Sequence, residues 1–267
     1  MSYAIHHFGD EGNCKTIDRC GCFDVVEYQR DMSVTPEEAI QAYFCGEMNV
    51  RRRQLVCQLA QANGNIVVQA GAMQWMAGNV SAVSGIKGVG DLIGKTFRGA
   101  VTKESVIKPE YSGDGLLVLE PTYKHLILLD VGSWNGGIVL DDGLFMAGES
   151  SLQQKIVARS NISSAVAGKE GLFNLGLHGV GKLCIESPVP YSELVCVDLL
   201  NDVLKIDGNL AIAWSESLQF TVERAGKTLI GSAASGEGLV NVYRGTGRVL
   251  MAPVGGIGMQ YKLSMRS

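Results

Sequence analysis

Short apolar runs punctuated by glycine set the pattern of this chain. Ile66-Val67-Val68 leads to Gly71 and then Met73, Trp75, Met76 and Ala77. Ile138-Val139-Leu140 leads to Gly143 and then Leu144-Phe145-Met146-Ala147, and Val203-Leu204-Lys205-Ile206 leads to Gly208 and then Leu210-Ala211-Ile212-Ala213-Trp214. Runs of this length and make-up predict strands, and a glycine between two of them predicts a tight reversal. Each set therefore predicts one hairpin, and Ala77, Ala147 and Ala213 recur about every 70 residues, the signature of an internal repeat.

A second kind of hairpin is expected at residues 113–122, 171–183 and 236–250. In the last of these Val240 and Val242 alternate with Asn241 and Tyr243, and Gly245 and Gly247 flank Thr246, where the chain is expected to turn back. At the first, Glu120-Pro121-Thr122-Tyr123 replaces the Gly-x-Gly, with proline fixing φ instead. One clear helix stands apart from the strands. Thr35 is placed to cap it, Pro36 suits its first turn, Glu38 completes a capping box, and Gly46 is the expected stop. Ala39, Ile40, Tyr43 and Phe44 share one face, to be buried on the body or offered to another chain.

Two paired-strand units per repeat cannot cover their own sheet faces, so three repeats must pack together. The expected architecture is all-β: antiparallel β-sandwich or short double-stranded β-helix units, triplicated with pseudo-threefold symmetry, after one short N-terminal helix. Residues 1–50 form an N-terminal arm carrying that helix, and residues 51–267 form the triplicated β domain.

Composition narrows the function more than it names it. With 46% hydrophobic and 19% charged residues a packed core is expected and disorder is not. A net charge of −4 disfavours nucleic acid as a partner, which leaves Arg51, Arg52 and Arg53 as a local basic run at the start of a strand. No apolar run is long enough to span a bilayer and the N-terminus lacks a signal-peptide core, so the expected location is the cytoplasm, with reduced cysteines.

Chemistry-bearing motifs are sparse. Cys14, Cys20 and Cys22 lie near His6 and His7, but the one-residue gap in Cys20-Gly21-Cys22 is short of structural zinc spacing, so no metal is assigned. The glycine-rich stretch from Gly85 to Gly94 nearly spells a phosphate loop, yet Val89 stands where a glycine is required. His125 and His178 lack a nucleophile partner, and no catalytic residue is assigned. Trp75, Trp134 and Trp214 are either core or pocket lining. Asp114, Glu170 and Glu237 each precede an equivalent Gly-Leu, and around a threefold axis their carboxylates would converge as a ligand site for a cation or a shared proton. Otherwise they are three exposed turn residues.

Several motifs in order carry a family resemblance: Gly71-Ala72-Met73, Gly88-Val89-Gly90, Asp141-Asp142-Gly143-Leu144-Phe145-Met146-Ala147, Gly171-Leu172-Phe173-Asn174, Asp207-Gly208-Asn209-Leu210-Ala211-Ile212-Ala213-Trp214 and Gly236-Glu237-Gly238-Leu239. Over roughly residues 54–253 the chain resembles the altered-inheritance-of-mitochondria 24 family, whose bacterial members form domain-of-unknown-function 124. The resemblance implies a fold like the tryptophan RNA-binding attenuator, with three units per chain, and implies no activity. The functional expectation is a non-catalytic scaffold or interaction module, possible homo-oligomer included. The alternatives are a small-molecule or metal-ion binding module and an enzyme of unknown class. Cofactor and protein partner are unassigned.

Overall fold

The computed structural model describes residues 3–83, 108–158, 173–224 and 239–254. It is all-β with one helix, built from three antiparallel sheets. The strands are β1 (Cys14–Cys20), β2 (Phe23–Tyr28), β3 (Arg53–Gln58), β4 (Ile66–Val68), β5 (Met73–Ala77), β6 (Val80–Val83), β7 (Glu110–Gly113), β8 (Leu116–Leu119) and β9 (His125–Asp130). They continue as β10 (Ile138–Leu140), β11 (Phe145–Glu149), β12 (Gln153–Ala158), β13 (Phe173–His178), β14 (Lys182–Ser187), β15 (Val195–Asp207), β16 (Ala211–Ser215), β17 (Gln219–Arg224) and β18 (Leu239–Met251). Helix α1 (Ala39–Glu47) lies between β2 and β3.

The first sheet runs β1-β2-β3-β8-β5, the second β6-β7-β4-β11-β14-β9, and the third β12-β13-β10-β16-β18-β15 with β17 also on β18. The six-stranded sheet is the middle layer. Along β14, Leu183 and Ile185 join a core with Ile138, Leu140 and Leu177 of the third sheet. Cys184, between them, joins a core with Phe23, Leu55 and Leu117 of the first. A sheet covered on both faces needs apolar residues at successive positions, which is why these strands read as unbroken runs rather than alternations.

That double burial overturns the hairpins expected from the glycine turns. β4 and β5 separate into different sheets, as do β10 and β11, β8 and β9, and β13 and β14. β15 and β16 share a sheet but lie on either side of β18. The turn glycines are real: Gly71, Gly143 and Gly208 have φ of +78°, +79° and +67°, a backbone that L side chains avoid. They redirect the chain from one neighbour to another instead of folding it back on itself. Each following strand carries a bulge near its start, between Met73 and Trp75, Phe145 and Ala147, and Ala211 and Ala213. Residues 236–250 are a second correction. Leu239–Met251 is one continuous strand with no reversal at Gly245 and Gly247. A Cβ on Gly247 would lie 2.7 Å from Ser215 Cβ, so this glycine serves a close approach. Facing it, β15 bulges between Leu199 and Asp202, and Asn201, at φ +51°, donates its amide to Thr246 Oγ1 at 3.0 Å.

The strands at residues 14–28 pair onto β3 and so extend the first sheet from within the expected arm.

Candidate interaction site

Helix α1 begins later than its sequence predicts, at Ala39, with Glu38 in the capping position and no side-chain cap bond to the helix amides. Glu38 reaches back so that its Oε2 accepts from both the amide and the hydroxyl of Thr35, each at 3.1 Å. Its end differs from expectation. Gly46 lies inside the helix, and the stop is Asn49, at φ +59°. The Asn49 amide donates to Gly46 O at 3.1 Å and the Val50 amide to Cys45 O at 2.8 Å, a Schellman closure with asparagine in the left-handed position.

The helix presents its large side chains to solvent. Ile40, Tyr43, Phe44 and Met48 are 71%, 64%, 62% and 77% exposed, while the half-buried positions are the smaller Ala42, Cys45 and Gly46. Positions i, i+3, i+4 and i+8 form one stripe, and the Tyr43 and Phe44 rings meet edge to face at 5.5 Å. The sequence predicts Ile40, Tyr43 and Phe44 on one face, but neither Met48 nor the direction in which that face points.

The three arginines that follow are not a basic patch. Arg51 donates to Gln29 O and lies 4.0 Å from Glu27. Arg52 pairs with Asp31, which also accepts from the Tyr123 hydroxyl, and its guanidinium lies 4.7 Å over the Tyr28 ring. Arg53 is buried: its Nη2 bonds Glu27 Oε2 at 2.8 Å, Asn49 O at 2.9 Å and Asn49 Oδ1 at 3.0 Å. The local basic run is therefore largely neutralised, because each cation has an internal partner.

A cavity of about 620 Å³ opens beside this anchor, lined by Glu27, Asn49, Arg53, His125, Trp134 and Arg248 among others. Burial and the neighbouring Arg53 lower the His125 imidazole to about 4. Arg248 lies 5.8 Å over the Trp134 ring and is tied to Asp198 at 2.8 Å. The charges around the cavity are thus largely matched within the protein.

Of the three expected acidic ligands, Asp114 alone falls within the described residues. Asp114 is an exposed turn residue whose amide donates to Asn79 O at 3.0 Å. Glu170, Glu237 and the stretch from Gly85 to Gly94 lie outside the described residues. Cys14 and Cys22 are buried, and Cys22 Sγ donates to Glu149 Oε1 at 3.6 Å. Glu149 Oε1 also accepts the Asn63 amide at 2.7 Å, and its Oε2 accepts the Lys182 amide at 2.6 Å. Among the described residues no three His, Cys, Asp or Glu side chains are arranged to hold a metal ion. Trp214 packs with Phe220 and Tyr243, and Trp75 with Phe8, so of the three tryptophans Trp134 alone lines the cavity. No helix among the described residues is long and apolar enough to cross a membrane.

Known proteins give the chain its relatives. An uncharacterised protein of Streptococcus pyogenes serotype M6 is 30% identical over 194 residues, covering 70% of this chain and 75% of that protein. A crystal structure of a Streptococcus pyogenes protein superposes with a TM-score of 0.56 at 24% identity, covering 82% of this chain and 94% of that one, a likeness of fold. The family described as mitochondrial biogenesis AIM24 matches residues 48–254, a span that takes in every strand from β3 to β18, and the chain belongs to that family.

Proposed function

We propose that this protein is a non-catalytic interaction module, a rigid β body that presents α1 to another protein. One observation carries the reading: four large apolar side chains on one helix stand 62% to 77% exposed. Leaving such surface in water is unfavourable, and contiguous apolar patches on soluble proteins mark interaction sites. The body is read as three copies of one unit resembling the tryptophan RNA-binding attenuator. The three positive-φ glycines, each followed by a bulged strand, support that reading. Seven unpaired cysteines support a reducing compartment such as the cytoplasm.

The test is affinity capture from native cells with the tagged full chain and its Phe44→Glu variant. A stoichiometric protein partner, or a further copy of the chain, held by the wild type and lost by the variant supports the proposal. A wild type that is monomeric and captures nothing overturns it. The cavity favours a second reading, a small-molecule binding module, through the Arg248 guanidinium over Trp134. That reading requires a compound to co-purify with the wild type and to be lost from Trp134→Ala.

A further inference from the structure

We infer that the outward stripe of α1 is the docking surface for a second copy of this chain, with the two helices antiparallel across a twofold axis near Phe44. The inference rests on the interaction reading above and names its partner. Area is the first argument. At their observed exposures Ile40, Tyr43, Phe44 and Met48 present roughly 500 Å² of side-chain surface, taking about 150–250 Å² for a whole aromatic residue. That fills the upper part of the ~300–600 Å² range for the largest apolar patch on a monomer. It supplies well over half of the ~800 Å² that each partner buries in a standard interface.

The stripe also has the symmetry of a self-pairing surface. A twofold axis at Phe44 sets the two Phe44 side chains against each other and brings Ile40 of one copy to Met48 of the other, which are equally spaced from the axis. Apolar then meets apolar through the centre of the contact, with Glu47 at each edge and no second surface needed.

Charge selects among the possible covers. The helix bears no base in its last turn, and the three arginines after it are already paired. An anionic membrane or a nucleic acid would find no available cation in the last turn of α1 or in the arginine run that follows it. Glu47 sits at the C-terminal end of its own helix, where the dipole disfavours an acid. An antiparallel second copy brings that carboxylate opposite the first-turn amides of the other helix, where an acid is favoured.

Light scattering on the full chain across a roughly hundredfold range of concentration tests this. The expected result is twice the 28.5 kDa chain mass for the wild type, and the single-chain mass for Phe44→Glu with an unchanged circular dichroism spectrum and melting temperature. Oxidation should link Ile40→Cys to Met48→Cys in a mixture, and neither variant to itself beyond the wild-type background. A monomeric wild type overturns the inference while leaving the interaction reading to the capture experiment. A Phe44→Glu variant that stays dimeric overturns it by placing self-association on another surface. Flotation of a monomeric wild type with phosphatidylcholine vesicles overturns it in favour of lipid as the cover.

Discussion

The guanidinium of Arg53 holds both oxygens of Asn49, main chain at 2.9 Å and side chain at 3.0 Å, and so pins the end of α1 to the first residue of β3. The same Nη2 pairs with Glu27 on β2. Removing the cation strands a mostly buried carboxylate and frees the helix end. Arg53→Met is expected to cost about 3 kcal/mol in denaturant unfolding, the scale for breaking a buried pair by deleting one partner. Arg53→Lys keeps the charge but lacks the planar fork, and should recover only part of that loss.

Asn49 and Gly46 make opposite predictions on one helix. Asn49→Ala puts at φ +59° a residue that lacks asparagine's tolerance of the left-handed region and removes an acceptor of Arg53, and should destabilise by about 1 kcal/mol, whereas Asn49→Gly suits that backbone and loses less. Gly46 lies within the helix, and a Cβ there meets nothing within 4 Å. Gly46→Ala should stabilise by about 0.5–1 kcal/mol, read as a rise in melting temperature.

Acid should weaken the fold through His125. Its folded value of about 4 lies below the ordinary 6.5, so the unfolded chain binds the extra proton first. The resulting stability is fully present above about pH 6.5, falls as pH drops through the interval, and is gone below about pH 4, with a size of about 1–2 kcal/mol after allowance for solvent screening. His125→Asn should flatten the stability profile in that window, measured by urea unfolding at a series of pH values.

Glu149 joins three segments through one carboxylate, accepting from the amides of Asn63 and Lys182 and from the thiol of Cys22. Glu149→Ala leaves those donors without their acceptor at a buried position and should cost about 3 kcal/mol or more, monitored by chemical denaturation.

Gly247→Val tests the continuous β18. The added Cβ meets Ser215 Cβ at 2.7 Å, and loss of about 1–3 kcal/mol is expected from overpacking. A reversing turn open to solvent at Gly247 would accept the side chain with little effect.

Strand content was legible because apolar and β-branched residues cluster between glycines, and family membership was legible in the ordered motifs from Gly71 to Leu239. The wiring was not. Ile138, Val139 and Leu140 are all buried, and such a run announces a strand covered on both faces without naming its neighbours. Gly247 could be read as a turn because glycine looks the same whether it supplies an unusual φ or room for another chain segment. For the helix, the reach of Glu38 back to Thr35 was legible because it is local, whereas the start at Ala39 was not. Asn49 was missed because its role depends on Arg53, and Arg53 depends on Glu27 of a different strand. Periodicity gave the face of Ala39, Ile40, Tyr43 and Phe44 without Met48, and its outward direction is set by what the rest of the described residues do not place over it.

The middle sheet acts as a party wall. Leu183 and Ile185 belong to the room on one side and Cys184 to the room on the other, so enlarging or shrinking any of them shifts the same backbone against both neighbours. Either room, left alone, keeps its outer sheet and loses the shared wall. Cutting the chain between its first and last thirds should therefore yield two pieces that need each other to fold, rather than two small proteins.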